Sequence, residues 1–108
     1  MHEKSTYEME AQFKTKRGEY VRSKSELIIA DRLFDAGIPY HYEVACERKN
    51  WIISYPDFLV LNPRTKMEYY WEHFGMMGDP TYLEQALGKI EKYARYGITL
   101  GNNLIATF

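Results

Sequence analysis

One acidic residue interrupts a largely apolar stretch, where an ionised carboxylate needs a specific partner. Asp57 follows Pro56 inside the run 52–61. Alternation along an extended chain puts Asp57 on the same face as Leu59. Burial of an ionised carboxylate there is costly unless it is paired, hydrogen-bonded or bound to a metal. Because proline donates no ladder hydrogen bond, Pro56 indicates either a bulge that re-aims the acid or a plain strand break at 55–56 with Asp57 in a turn.

A second acid repeats this pattern on the next predicted strand. Glu72 alternates with Tyr70 and Phe74 on one face of the stretch 67–74. Two neighbouring antiparallel strands that each carry an acid near one end can bring both acids to one divalent cation. Mg²⁺ takes carboxylate oxygens and keeps several waters, so two or three acids suffice. The alternative is that Glu72 is a strand residue that faces solvent.

A third acid lies near the start of the first predicted helix. Ser23 and Glu26 have the spacing of a capping box, in which the glutamate reaches back to a backbone N–H at the helix start. Glu26 also shares a helical stripe with Ala30 and Leu33, and such a stripe is expected to pack on the sheet. The spacing leaves two interpretations open, a capping residue or a third acid at the site.

The elements that would position these acids follow the order helix, three strands, helix, strand. The predicted elements are a helix from Ser23 to Gly37, strands over 40–48, 51–61 and 67–74, a helix from Asp79 to Gly97, and a strand over 103–108. The core-facing stripe of the second helix is predicted to be Leu83, Leu87, Ile90 and Ala94. Short turns favour an antiparallel meander, and the helical crossover favours a last strand parallel to the third. The predicted fold class is α/β, an αβββαβ core in which helices flank a mixed four-stranded sheet.

Length and composition restrict the class of protein. The chain has 108 residues, enough for one domain, and it lacks the run of about 18 apolar residues that a membrane span needs. Its single cysteine, Cys46, cannot form an internal disulfide, which favours a reducing, cytoplasmic compartment. We expect a polar, partly helical N-terminal arm over 1–22 and a domain over 23–108.

Positive charge is concentrated in one part of the sequence. The formal net charge of the chain is −1, and this value argues against a uniformly basic surface. The window 14–24 has five basic residues against one acid. The candidate contacts to phosphate are Lys14, Lys16, Arg17, Arg22 and Lys24 in the arm, and Arg48, Lys49 and Arg64 in two turns. The alternative for the arm is a solvated helix or loop.

Three segments in order resemble the motifs of the PD-(D/E)XK phosphodiesterase superfamily, which has the restriction-endonuclease-like fold. They are Ser25-Glu26, Tyr55-Pro56-Asp57-Phe58 and Trp71-Glu72-His73-Phe74-Gly75, and the resemblance covers about 22–108. It implies a DNA endonuclease domain that hydrolyses phosphodiester bonds with Mg²⁺ or Mn²⁺. By this resemblance Asp57 and Glu72 bind the metal, and Glu26 joins them. The implied partner is nucleic acid, with DNA favoured, and not a membrane. A second copy of the chain, or a partner domain in a larger protein, is left open.

One position departs from the superfamily pattern. The motif lysine belongs two residues after the second acid, where this chain has Phe74. His73 is one substitute, although alternation points it away from Glu72 unless the strand bulges or ends there. Lys89 on the second helix is the other, since superfamily members are known to move this lysine to another element. The candidate catalytic residues are therefore Glu26, Asp57, Glu72, His73 and Lys89. If no residue replaces the lysine, the chain is a catalytically inactive nuclease-like module that binds nucleic acid, and a plain interaction domain is the third interpretation.

Overall fold

The computed structural model describes residues 10–75 and 78–108. Its strands are β1 (Phe13–Lys14), β2 (Tyr20–Val21), β3 (Tyr40–Tyr42), β4 (Cys46–Arg48), β5 (Trp51–Ser54), β6 (Phe58–Leu61), β7 (Glu68–His73) and β8 (Leu104–Thr107). Its helices are α1 (Lys24–Asp35) and α2 (Pro80–Arg95). Neither helix in these ranges is long and apolar enough to cross a membrane.

A four-stranded sheet in the order β3-β6-β7-β8 forms the centre of the fold. The pairs β3–β6 and β6–β7 are antiparallel, whereas β7 and β8 are parallel. Helix α2 supplies the crossover that a parallel neighbour requires. The predicted α/β class, with a mixed four-stranded sheet and two helices, is confirmed at this level.

Helix α1 covers one face of the sheet and begins where its capping signal predicts. The Ser23 hydroxyl accepts a hydrogen bond from the backbone N–H of Glu26 at 3.1 Å. The helix ends just before Gly37, whose φ of 73° is the left-handed conformation that glycine adopts most readily. Its buried face joins the sheet in a cluster formed by Ala30, Leu33, Tyr40, Phe58 and Val60.

Helix α2 contributes to the cluster on the other face, but with a different stripe from the predicted one. Asp79 caps it by accepting from the N–H of Thr81, as its sequence predicts. Leu87 is 52% exposed, so the predicted core-facing stripe is wrong. The helix is rotated so that Ala86 and Tyr93 are buried. Tyr93 packs in a cluster with Cys46, Ile53, Ile98 and Leu104.

The described part of the N-terminal arm is a β-hairpin, so the prediction of a partly helical arm is wrong over 10–22. Strands β1 and β2 pair antiparallel around a turn in which Gly18 has a φ of 118°. A glycine at such a φ relieves the strain that a side chain would suffer. Val21 is fully buried, and both strands contact α1. Residues 1–9 of the arm lie outside the described residues.

Two predicted strands are each divided in two. The stretch 40–48 breaks at Glu43, whose φ is 56°, and the stretch 51–61 breaks at 55–56. Between these breaks the chain leaves the central sheet and forms a separate hairpin from β4 and β5. The two breaks lie side by side, because the N–H of Glu43 donates to the carbonyl of Asp57 at 2.9 Å. The hairpin is therefore attached to the sheet by two adjacent segments of chain.

Candidate active site

Asp57 and Glu72 lie opposite each other at one end of the central sheet. The β6–β7 register pairs Phe58 with Trp71, and the next step of that register opposes Asp57 to Glu72. Each acid is only 3% exposed. Opposed residues on antiparallel strands present their side chains on the same face. The sequence prediction that the two acids come together is supported by this register.

Pro56 explains how Asp57 comes to face its neighbour. The strand is interrupted before Asp57, and the Asp57 carboxylate accepts a hydrogen bond from the backbone N–H of His73 at 2.7 Å. The Asp57 carboxylate thus supplies the acceptor for the N–H of His73 at the point where the backbone of β6 no longer pairs with β7. Both interpretations of the Pro56 signal hold in part, since the strand breaks and the acid is aimed inward.

Lys89 of α2 reaches the same end of the sheet. Its Nζ lies 2.8 Å from Oε2 of Glu72, and the two side chains are 8% and 5% exposed. The Tyr93 hydroxyl lies 2.6 Å from the same Oε2 and 2.9 Å from the Ser54 hydroxyl. Because an ionised carboxylate only accepts, Tyr93 donates to Glu72 and accepts from Ser54. A chain of hydrogen bonds therefore fixes the orientation of the Glu72 carboxylate.

Opposing effects act on the ionisation of Glu72. Burial raises its pKa, the Lys89 ammonium lowers it, and the negative charge of Asp57 raises it again. The pKa of Glu72 is raised on balance. Burial and the neighbouring Glu72 also raise the pKa of Tyr93, so its hydroxyl keeps its proton. With both acids ionised, Asp57, Glu72 and Lys89 together carry a formal charge of −1.

The donor set of this site fits a divalent cation held by two acids. Over 10–75 and 78–108, no group of three or more His, Cys, Asp or Glu side chains is placed to hold a metal ion. The pair Asp57 and Glu72 nevertheless consists of hard carboxylate oxygen ligands, and Mg²⁺ is commonly bound through one or two carboxylates together with waters and substrate phosphates. The formal charge of −1 on this buried cluster also favours a cation, because a buried charge is costly unless it is paired.

Glu26 is not brought to this pair. Its Oε1 accepts hydrogen bonds from the Tyr42 hydroxyl at 2.8 Å and from the backbone N–H of Arg22 at 3.0 Å. Helix α1 covers the face of the sheet that carries Phe58 and Trp71, whereas alternation puts Asp57 and Glu72 on the other face. Glu26 therefore holds the backbone just before the helix, through the N–H of Arg22 and not that of the N-cap residue Ser23. The assignment of a third metal ligand to Glu26 finds no support in the structure.

His73 also faces away from the pair. Its Nδ1 lies 2.8 Å from the Thr107 hydroxyl, which also accepts from the indole N–H of Trp71 at 3.0 Å. Strand alternation thus continues through His73, and only its backbone N–H reaches Asp57. Of the two substitutes proposed for the motif lysine, only Lys89 has its side chain at the acids.

Two residues of this site were missed in the sequence. Tyr93 follows Lys89 by one helical turn, and both lie on the stripe that α2 turns towards the sheet. Once a buried lysine is placed on a helix, a residue four positions later lies beside it, and that spacing was the available signal. Ser54 gave no signal, because a serine beside a strand break is common.

The predicted phosphate contacts are distributed unevenly. Three arm residues form ion pairs, Lys16 with Asp35 at 2.8 Å, Arg17 with Glu19 at 3.1 Å and Arg22 with Glu43 at 2.9 Å. The remaining candidates on the surface are Lys14, Lys24, Lys49 and Arg64, while Arg48 is half-buried beside Tyr70. The arm is thus a locally neutralised hairpin more than a basic surface.

Comparisons with protein-family models, with curated proteins and with solved structures find no match to this chain.

Proposed function

We propose that this chain is a metal-dependent DNA endonuclease domain with the restriction-endonuclease-like fold of the PD-(D/E)XK superfamily. The observation that carries the proposal is the buried pair Asp57 and Glu72 on neighbouring strands, with the Lys89 ammonium 2.8 Å from Glu72. A carboxylate pair can hold a divalent cation, and a lysine beside it can stabilise the charge that develops on a phosphate. The element order around the central sheet, with α2 between β7 and β8, is consistent with the proposed fold.

Each residue of the site has a role in phosphodiester hydrolysis. Asp57 and Glu72 would hold Mg²⁺ or Mn²⁺, which when bound neutralises phosphate oxygens and lowers the pKa of water. Lys89 orients the attacking water and stabilises the charge that develops on the phosphate, since fixed cations in a water-poor site act strongly there. Tyr93 and Ser54 hold Glu72 in one orientation, as outer hydrogen-bond partners do for metal ligands.

A second candidate is the inactive module that binds nucleic acid without cutting it. Phe74 stands where the motif lysine belongs, and it is buried and stacked on Phe108 with ring centroids 5.7 Å apart. This position can supply no cation, so the activity depends on Lys89. The two candidates make different predictions for one assay.

That assay is plasmid nicking in Mg²⁺ or Mn²⁺. We expect the parent to nick the plasmid and Asp57→Ala and Lys89→Met to reduce the rate about hundredfold or more, in the range that follows loss of one fixed charge-stabilising group. The matched control is Lys92→Met, which removes a second lysine one turn along α2. Lys92 lines the same shallow surface depression as Lys89 but is not at the acids.

The outcomes separate the candidates. A parent that binds DNA but does not nick it with either metal supports the inactive module. Nicking by Lys89→Met at the parent rate would show that the lysine has no catalytic part.

A further inference from the structure

The β4–β5 hairpin is short and ends in a tight two-residue turn. Its strands pair Arg48 with Trp51, and the connecting residues Lys49 and Asn50 have φ values of 53° and 68°. Positive φ at both central residues defines the type I′ turn, which matches the natural twist of a two-stranded hairpin. Trp51 therefore directly follows a tight turn at the tip of the hairpin.

The tip combines an exposed aromatic ring with positive charge. The Trp51 side chain is 70% exposed, and Lys49 beside it is exposed as well. Arg48 lies directly opposite Trp51, while the acid of the hairpin, Glu47, is opposite Ile52 and so belongs to the other face. Cations around an aromatic platform are the usual surface for single-stranded nucleic acid, because bases stack on the ring while the cations contact the phosphates.

Two contacts connect this hairpin to the acids. Ser54 at the end of β5 hydrogen-bonds to Tyr93, which donates to Glu72. Arg48 lies over the ring of Tyr70, with its guanidinium carbon 5.5 Å from the ring centroid. Tyr70 precedes Glu72 by two residues on β7 and so shares its face.

The separation of the tip from the base of the hairpin follows from strand geometry. Three residue steps separate Ser54 from Trp51, which at about 3.3 Å per residue is about 10 Å along β5. Trp51 therefore lies about 10 Å from the residue that joins this hairpin to the hydrogen bonds of Glu72.

We propose that Trp51 stacks on an unpaired base of the nucleic-acid strand whose phosphate is held at Asp57 and Glu72. This inference rests on the proposed nuclease function and adds to it a substrate class, DNA with a single-stranded or melted stretch beside the cleavage position. Lys49 contacts a phosphate of the same stretch.

The test is binding of a labelled oligo-dT to Asp57→Asn without metal, so that cleavage cannot interfere. In that background we expect Trp51→Ala to weaken binding about five- to hundredfold, the range found for loss of one stacked base, and Trp51→Phe to retain most of the affinity. Phe34→Ala, which removes another exposed aromatic ring from α1, is the matched control and leaves the affinity unchanged. We expect tryptophan emission to be quenched on binding through Trp51, whereas Trp71 stays hydrogen-bonded to Thr107.

Three results would overturn the inference. They are unchanged affinity in Trp51→Ala, equal weakening by Phe34→Ala, and a Trp51→Ala effect on self-association in size-exclusion chromatography without an effect on DNA affinity. A titration with oligo-U compares RNA with DNA as the source of the stacked base. Tighter binding of oligo-U than of oligo-dT would overturn the assignment to DNA. Plasmid nicking by the parent is scored separately, so that the stacking inference and the nuclease proposal can fail independently.

Discussion

Replacement of Asp57 by asparagine separates what this acid contributes to folding from what it contributes to function. Asparagine keeps an oxygen that can accept from the N–H of His73, and its new N–H group can donate to Glu72. It removes one of two negative charges that oppose each other on neighbouring strands. Without metal, Asp57→Asn should therefore be more stable than the parent.

The magnitude follows from the separation of the two charges. The Cβ atoms of opposed residues on antiparallel strands lie about 5 Å apart, and two like charges at a similar separation would repel by about 3 kcal/mol at an effective dielectric constant near 20. The Lys89 ammonium compensates one of the two charges. We therefore expect a net gain of about 1 kcal/mol in the free energy of unfolding, which is about 4 °C in Tm for a domain of this size. If Glu72 instead relieves the repulsion by binding a proton, the sign of the effect is the same.

Metal should reverse this order of stability. A ligand at about 100 times its Kd raises the free energy of unfolding by about 2.7 kcal/mol. In MnCl₂ the parent should therefore become the more stable protein, while Asp57→Asn gains little. Thermal unfolding with and without MnCl₂ measures both effects, and Glu84→Gln, a change at an exposed acid of α2, is the control. A parent that gains nothing from Mn²⁺, or a variant that gains as much as the parent, would refute the assignment of Asp57 to a metal site.

Two further predictions concern acids outside the pair. Glu26→Ala should lower the free energy of unfolding by about 1–3 kcal/mol, because the Tyr42 hydroxyl loses its acceptor. Plasmid nicking by the folded variant should nevertheless stay within about twofold of the parent rate. A hundredfold loss of nicking would show that Glu26 belongs to the site. Partial burial would raise the pKa of Glu19, but hydrogen bonds from Tyr40, Thr15 and Arg17 lower it from 4.5 to about 2. A lowered pKa stabilises the fold above about pH 4.5, and this contribution is lost as the pH falls towards 2. Since Glu19 is partly exposed, we expect Glu19→Gln to lower the free energy of unfolding by about 1–2 kcal/mol at pH 7 and by much less at pH 2. Urea unfolding at the two pH values measures this, and a stability difference that does not vary with pH would contradict the prediction.

The helices and the sheet order were predictable because local signals agreed with the tertiary structure. Ser23 and Asp79 cap the two helices as their side chains predict. Alternation in 67–74 predicted β7, and the helical crossover predicted that β8 would be parallel to it. Each of these signals acts over a few residues, so that no distant contact was needed to find it.

The divided strands and the α2 stripe could not be predicted in the same way. The break at Glu43 requires a positive φ on a residue that carries no local signal for it. Hydrophobicity assigned Leu87 to the core, but the helix instead buries Ala86 and Tyr93 and brings Lys89 to Glu72. The partners of this stripe are distant in sequence, so the apolar pattern of the helix alone did not identify it.

The candidate site was predictable only where an acidic residue stood among apolar neighbours in the sequence. Asp57 and Glu72 were visible as charges among apolar neighbours, whereas Ser54 and Tyr93 are ordinary residues in their segments. Glu26 satisfied two interpretations at once. The face of the sheet that α1 covers decides between them, and a sequence pattern does not contain that information.

The two adjacent breaks that attach the β4–β5 hairpin have a consequence for how such a domain is retuned. A hairpin held at its base can be lengthened without disturbing the sheet, but its side chains alternate between faces at every residue. Insertion of two residues in each strand keeps Trp51 and Arg48 on their present face of the hairpin and moves the tip by about 6.6 Å, whereas insertion of one residue in each strand turns both to the other face.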